Sequence, residues 1–321
     1  MTRLLNQHNP FARHRKERIG LFLGTSTAGV ENTLEPVRAW KASGDESVLS
    51  YFNESHQHVL VEDHLRETFD LYGPGCTFAT ACSSAALAIS EAMEAIKDGV
   101  VDAAIAGGFD VLNIMTLLGF DSLQILNPEP CVPFHGGGGI TLGEGGALIL
   151  LEREEGPDHS SAPPLAYLLG HGSSSDAFHI TRPHPEGEGM ILAMQQAIAM
   201  AGIPLENIQY INAHGTGTAH NDAAEARAIG KVFGTQVTVS STKGLHGHLL
   251  GASGAIESVV CILALQEGIC WSGAHTDLEP DPVPFTYGSS QRMALQAVLS
   301  NSFGFGGSNV SLVFGAAGER S

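Results

Sequence analysis

The sequence predicts an α/β fold assembled from two similar halves, and three observations lead there. Apolar runs of strand length alternate with longer helical stretches rich in small residues. The joints between them carry glycine, of which there are 39 in 321 residues. The same grammar recurs on either side of a Pro- and Glu-rich surface connection, Glu152 to Pro164, which divides the chain into 1–155 and 156–321. Strands that read as continuous apolar runs, without alternation, are buried on both faces, as in sheets covered by helices.

In the first half, Ile19 to Gly24 (IGLFLG) is a short buried strand ending in a Gly/Ser/Thr turn, and Glu31 to Tyr51 mixes helix and loop. From Cys82 the run CSSAALAISEAMEAIKDG places Ala85, Leu87, Ala88, Ala92 and Ile96 on a buried helix closed by Gly99. A strand follows over Val101 to Ala106, ended by Gly107 and Gly108, and another lies within Ile140 to Leu151. The second half gives a strand at Leu165 to Gly172, a helix at Gly189 to Ala201 and a strand at Ile208 to Asn212. A helix around Asp222 to Val232, a strand at Gln236 to Ser240 and a helix starting near Gly247 come next. Two strands, Met293 to Asn301 and Asn309 to Phe314, are joined by the turn FGFGGS.

With 43% hydrophobic and 16% charged residues the chain has the composition of a compact globular protein. Its formal charge of −18 argues against nucleic-acid binding, which needs a local surplus of Lys and Arg. The one basic cluster, Arg13, Arg15, Lys16 and Arg18, reads as a solvated segment or as a patch for an acidic partner. Five cysteines form no CxxC pair and no disulfide framework, and the opening residues lack the apolar core of a secretion signal, so the expected location is the cytoplasm. No stretch approaches the roughly 20 uninterrupted apolar residues of a membrane span.

Three segments carry residues suited to chemistry. Cys82 stands just before a helix, where free backbone N–H groups and the positive end of the dipole lower a thiol's pKa, and its small neighbours leave room for a substrate. In INAHGTGTAHND, His214 follows an apolar strand on a Gly/Thr loop with Thr216 and Thr218, at the strand end where open α/β sheets present functional groups. STKGLHGHLLGASGA sets Lys243 five residues ahead of His248. Each residue alone is compatible with a packed structural role. His246 and His248 admit a metal reading, but no acidic or thiol ligand accompanies them at a usual spacing, and no metal is expected. The glycines at 136–139, 143, 145 and 146 precede no GK[ST] and follow no GxGxxG order, so they read as turns.

Taken together, TACSSA, HGTGTAHND, STKGLHGHLLGASGA and NSFGFGGSN occur in an order that resembles the elongating β-ketoacyl-acyl carrier protein synthases of fatty acid and polyketide assembly. SSSDAFHI, NPEPCVPF and ITLGEGGA are similar to the branch that builds aryl polyenes. The resemblance implies the five-layered α/β/α/β/α thiolase fold, usually paired as a homodimer or as a heterodimer with a related subunit. It implies decarboxylative Claisen condensation, with no bound cofactor and with substrates carried on the phosphopantetheine arm of an acyl carrier protein. Cys82 would accept the acyl chain. His214 and His248 would stabilise the malonyl thioester as it becomes an enolate, and the N–H groups of Cys82 and Phe305 would hold the acyl oxyanion. Lys243 would organise the histidines electrostatically with Asp222 and Glu225 behind it, Thr216 and Thr218 would hold pantetheine, and Phe305, with Phe303 beside it, would gate the site. Two histidines favour condensation over the Cys-His-Cys set of thiolases and the Cys-His-Asn set of initiating synthases.

Two departures accompany the resemblance. Family members carry a further N-terminal strand and helix, and the resemblance implies that this first strand, central in its sheet, is missing here. At PFHGGGGITLGEGG the glycines 136–139 replace a polar, Arg-containing loop that braces the site, so a partner subunit of low activity is the alternative function.

Overall fold

The computed structural model describes residues 1, 9–51, 56–136, 138–154, 163–273, 286–287 and 290–317. In the first half they form β1 (Ile19–Gly24), α1 (Leu34–Ser43), α2 (Leu60–Phe69), β2 (Gly75–Phe78), α3 (Ser84–Lys97), β3 (Ala103–Asp110), α4 (Ile114–Ser122) and β4 (Gly145–Glu152). The second half contributes β5 (Ala166–Ser175), α5 (Glu188–Ala201), β6 (Ile208–Asn212), α6 (Ala219–Phe233), β7 (Thr238–Ser240), α7 (Ser253–Glu267) and β8 (Ile269–Cys270). It ends with β9 (Thr286–Tyr287), β10 (Gln291–Arg292), β11 (Ala297–Phe303) and β12 (Ser308–Ala316).

One sheet runs β2-β1-β3-β4 and the other β5-β12-β11-β6-β7-β9, while β8 and β10 make a small ribbon. In the first, β1 is parallel to both β2 and β3, and β4 is antiparallel to β3. In the second, β6 is parallel to β7 and β11, and β12 is antiparallel to β11. The strands β1, β2, β3 and β4 therefore correspond to β6, β7, β11 and β12, and the helices between the second and third member of each set, α3 and α7, correspond as well.

Side-chain direction along the strands builds five layers from this plan. In β1, Ile19, Leu21 and Leu23 face outward against Leu65 and Phe69 of α2, while Phe22 faces the centre. The central layer is α3 and α7, whose Ala88, Ile89, Ala92, Cys261 and Ala264 join Ala104 and Ala106 of one sheet to Val298, Val310 and Leu312 of the other. Outside the second sheet, Met190 and Met194 of α5 and Ala224 and Ile229 of α6 cover Ile208, Leu299 and Val313. Each large aliphatic side chain so buried contributes on the order of 1.5–3 kcal/mol. Small residues set how near the central helices come: a Cβ at Gly254 would lie 2.8 Å from the Ala86 Cβ. The stretch 250–267 is apolar and long enough to cross a membrane, and it lies mostly buried in this middle layer.

Several element ends differ from expectation. β3 runs through Gly107 and Gly108, because a Cβ at Gly107 would stand 2.1 Å from the Ala147 oxygen and one at Gly108 2.7 Å from the Ala85 Cβ. The glycines are thus strand residues that admit β4 and α3, not terminators. The helix expected near Gly247 starts at Ser253, since Gly247 is extended past the range of a helix (φ 75°, ψ 176°). Each member of the basic cluster has an acidic neighbour: Arg13 bonds Glu152, Lys16 Asp70 and Arg18 Asp102, and the exposed Arg15 lies 3.5 Å from Glu17. The division at 155/156, most of the Glu152 to Pro164 connection and Gly137 lie outside the described residues.

The first sheet also corrects the expected place of a missing strand. Its four strands are consecutive hydrogen-bonded neighbours, so the sheet has no central gap. In the second sheet β5 pairs antiparallel along the outer edge of β12. The matching edge of β4 carries no strand among the described residues, and Ala147 to Leu151 are half-buried where Val310 to Phe314 of β12 are buried.

Candidate active site

Cys82 and His248 are 166 residues apart in sequence, and the correspondence of the halves brings them together. Each precedes its central helix: Cys82 lies in the turn Ala81–Ser83 ahead of α3, and His248 two residues ahead of the turn Leu250–Ala252 that leads into α7. Both turns open on a non-glycine residue in the left-handed region, Ala81 at φ 53° and Leu250 at φ 52°. That conformation costs about 1–3 kcal/mol and persists only where the surroundings hold it.

His248 Nε2 stands 3.1 Å from Cys82 Sγ. Its Nδ1 accepts the Leu250 N–H at 3.3 Å and meets Ser253 Oγ at 2.9 Å, which assigns the proton of the neutral ring to Nε2, facing the sulfur. His214 packs edge-on to His248 with centroids 5.3 Å apart, and its Nδ1 lies 3.4 Å from Lys243 Nζ, so its free N–H is again Nε2. Burial, and then the charge of Lys243, hold both imidazoles well below the usual histidine range. Two neutral rings thus present N–H groups to one place.

The expectation of a depressed Cys82 pKa is overturned. Burial pushes the thiol up to about 11, although Lys243 and the Phe305 N–H both favour the thiolate. A helix start is visible in sequence, whereas the burial of Cys82 against His248 and Gly304 of the second half is not.

Lys243 is fully buried, and its ammonium is bonded to Glu257 of α7, a residue that the motifs did not single out. Burial pushes Glu257 up to about 7 against the pull of Lys243. Asp222 and Glu225 do not stand behind Lys243 as expected; they brace loops. Glu225 accepts the N–H groups of His214 and Gly215, each at 2.8 Å, and Asn301 Nδ2 at 3.2 Å. Asp222 accepts Phe134 N–H at 2.8 Å and Gly217 N–H at 3.3 Å. Burial raises these carboxyls to about 7 and about 6 respectively. Phe134 heads the glycine loop, and Gly139 N–H donates to Gly217 O at 2.9 Å, so that loop is tied to the His214 loop through backbone as well as through the Asp222 carboxylate.

A cavity of about 290 Å³ opens onto Cys82, His214 and His248. Thr216 and Thr218 line it with their hydroxyls 2.9 Å apart, and Arg182 and His220 line it too. Phe120, Leu123, Ile125 and Ile140 form an apolar side. Phe305 stacks on Phe120 with centroids 5.8 Å apart and planes 19° from parallel. Its turn bends at Gly306 and Gly307 (φ 80° and 81°), values that side chains rarely adopt. A Cβ at Gly304 would sit 3.2 Å from the Cys82 nitrogen, so glycine leaves the approach to that N–H open. Phe303 is buried edge-on to His214, 6.0 Å between centroids, and lines the same cavity.

The ligand atoms of Cys82, His214 and His248 lie within 4.8 Å of one another, the one grouping among the described residues with the donors of a metal site. His246 is not among them: its ring bonds Gly247 O and Thr242 Oγ1. A cation there would face the Lys243 ammonium.

The family description "Beta-ketoacyl synthase, N-terminal domain" matches residues 5–156, and "Beta-ketoacyl synthase, C-terminal domain" matches residues 165–277. The 3-oxoacyl-[acyl-carrier-protein] synthase 2 of Coxiella burnetii is 35% identical over 92% of this chain and 75% of its own length. The mitochondrial 3-oxoacyl-[acyl-carrier-protein] synthase of Arabidopsis thaliana is 34% identical over 95% of this chain and 70% of its own. Among solved structures, the ketosynthase ApeO in complex with its chain length factor ApeC from Xenorhabdus doucetiae is similar at a TM-score of 0.85 and 40% identity, covering 96% of this chain and 77% of that one. The ishigamide ketosynthase/chain length factor gives a TM-score of 0.87 at 27% identity, over 94% and 76%.

Proposed function

Because this chain belongs to the β-ketoacyl synthase family, a group of acyl-transferring condensing enzymes on the thiolase fold, we propose that Cys82, His214 and His248 carry out its decarboxylative condensation. The observation that carries the assignment is the pair of neutral imidazoles whose Nε2–H groups face the space beside the Cys82 sulfur.

In the first half-reaction Cys82 gives up its thiol proton and attacks the thioester carbonyl of an acyl carrier protein as the thiolate, and the carrier sulfur takes up a proton once it has left. The oxyanion of the tetrahedral adduct is held by the Cys82 and Phe305 N–H groups, and the carrier leaves as its thiolate. A malonyl thioester then enters. Its bond to the carboxylate breaks, carbon dioxide departs, and the electron pair becomes an enolate whose oxygen takes hydrogen bonds from His214 and His248. The enolate carbon attacks the Cys82 thioester, the new adduct collapses, and the Cys82 thiolate is expelled as the β-ketoacyl carrier is released.

Both substrates would arrive on a phosphopantetheine arm past Thr216 and Thr218, and the reaction draws on no resident cofactor or metal. Neutral histidines suit this role, since each keeps an Nε2–H to donate to the developing enolate oxygen without first having to take up a proton. The five cysteines, all free, fit a cytoplasmic setting.

Partners of this chemistry are an acyl carrier protein and a second synthase subunit. The relatives are named for the first, and ApeO is described with the second. The exposed apolar residues Ile114, Met115, Leu117 and Leu118 of α4 support such a subunit, and with it a second reading: a member of a pair with no turnover of its own.

Intact mass after incubation with acyl-loaded carrier, followed by carboxyl-labelled malonyl carrier, tests both. An acyl adduct on Cys82 and then labelled carbon dioxide with a β-ketoacyl product is expected. A folded sample that takes no acyl group rejects the condensing role, and turnover by the purified chain alone rejects the silent-subunit reading.

A further inference from the structure

Asp110, the last residue of β3, is 2% exposed and touches none of the reacting groups, yet its carboxylate gathers donors from two distant segments. It accepts Thr25 Oγ1 at 2.7 Å, Ser26 N–H at 2.9 Å, Thr27 N–H at 2.9 Å and Thr27 Oγ1 at 2.8 Å. From the other side it accepts Gly251 N–H at 2.6 Å. No cation pairs with it among the described residues.

Gly251 sits in the middle of the turn that holds His248. Leu250 N–H on one side and Ser253 Oγ on the other both reach His248 Nδ1. The turn is pressed against the Thr25 segment, for a Cβ at Gly251 would lie 2.5 Å from Ser26 N and 2.7 Å from Asp110 Oδ2. Leu250 keeps its left-handed backbone only if the turn is held from outside, and Gly251 N–H to Asp110 is such a hold.

We propose that Asp110 is a positioning residue: by binding the Gly251 N–H it sets the turn that aims His248 Nε2 at Cys82, and so joins the geometry of the reacting pair to the end of β1. An ordinary buried carboxylate that satisfies turn donors would contribute stability alone. The difference is measurable, because misplacing a reacting group by about 1 Å costs on the order of a hundredfold in rate without touching substrate affinity.

The inference rests on the reading of Cys82 and His248 as reacting partners. Asp110→Asn keeps the shape and replaces one acceptor oxygen by a donor. It is expected to lower kcat for condensation at least about tenfold while KM for acyl and malonyl carriers stays within about twofold. Thr27→Val removes a donor from the side of the carboxylate away from Gly251, and is expected to lower the melting temperature with kcat within about twofold of wild type. Should Asp110→Asn not fold, Gly251→Ala disturbs the same contact from the opposite side and must give the same kcat loss.

Asp110→Asn with kcat near wild type, Thr27→Val losing as much kcat as Asp110→Asn, or both Asp110→Asn and Gly251→Ala failing to fold would each overturn the proposal. If the wild-type chain takes up an acyl group and does not condense, the condensing role fails on its own. The variants are then judged on the rate of acyl uptake by Cys82, where the same loss is expected.

Discussion

Lys243 gives its ammonium to Glu257 with neither side chain exposed, and the same nitrogen stands 3.4 Å from His214 Nδ1. One buried charge therefore acts on the whole centre: it favours the Cys82 thiolate and disfavours protonation of His214 and His248.

Lys243→Met is expected to let both imidazoles titrate nearer the ordinary 6.5 and to drive the Cys82 thiol further up. Histidine proton resonances followed against pH check the first shift. Removing either partner alone leaves an uncompensated buried group and should cost about 3–5 kcal/mol in urea unfolding, whereas the Lys243→Met/Glu257→Met double variant should lose less than either single change.

With its pKa at about 11, Cys82 is almost wholly thiol near neutrality. Since the thiolate is the nucleophile, alkylation of Cys82 by iodoacetamide should rise about tenfold per unit from roughly pH 7 to pH 10. Site-resolved mass spectrometry reads the rate, and a plateau near the ordinary thiol value would contradict the burial argument. Cys82→Ser should abolish the acyl adduct.

Phe120 holds Phe305 by stacking, a contact worth about 0.5–1.5 kcal/mol beyond burial. Phe120→Ala should free the Phe305 turn and raise acyl transfer from long-chain carriers relative to short-chain ones by up to about tenfold. Competition between two acyl carriers, scored by adduct mass on Cys82, gives the ratio, and an unchanged ratio removes Phe120 from the gate.

His246 carries a pH dependence of its own, because burial and Lys243 lower it from 6.5 to about 4. The unfolded chain takes up a proton at 6.5 and the folded one does not until about 4, so stability present above 6.5 is lost as pH falls through that window. The gap in unfolding free energy between wild type and His246→Gln should therefore change steadily in the variant's favour from 6.5 to 4 and stay constant above it. Urea midpoints at stepped pH check the sign.

Glycine and threonine punctuation made the Cys82, His214 and His248 segments legible, since each interrupts an apolar run at the end of an element. The short β2, with the sequence GCTF, offered too few residues for a period to emerge, and α4 has an apolar composition without a polar face. Glu257 could have been noticed as the lone charge within SGAIESVVCILALQ, but its partner is 14 residues away across a turn. Asp110 could not: its donors lie up to 141 residues off and are mostly backbone N–H groups, which every residue type shares. The direction of the Cys82 shift failed for a related reason, as a helix dipole is local and burial is not.

The outer side of β4 bears on how the protein behaves in bulk. Among the described residues no strand pairs with that side, and an open Ala-Leu-Ile-Leu-Leu edge is a template for intermolecular zippering. Concentrated samples should lose monodispersity at temperatures below the loss of circular dichroism, and the amides of 147–151 that face away from β3 should exchange more slowly in the associated protein than in the dilute one.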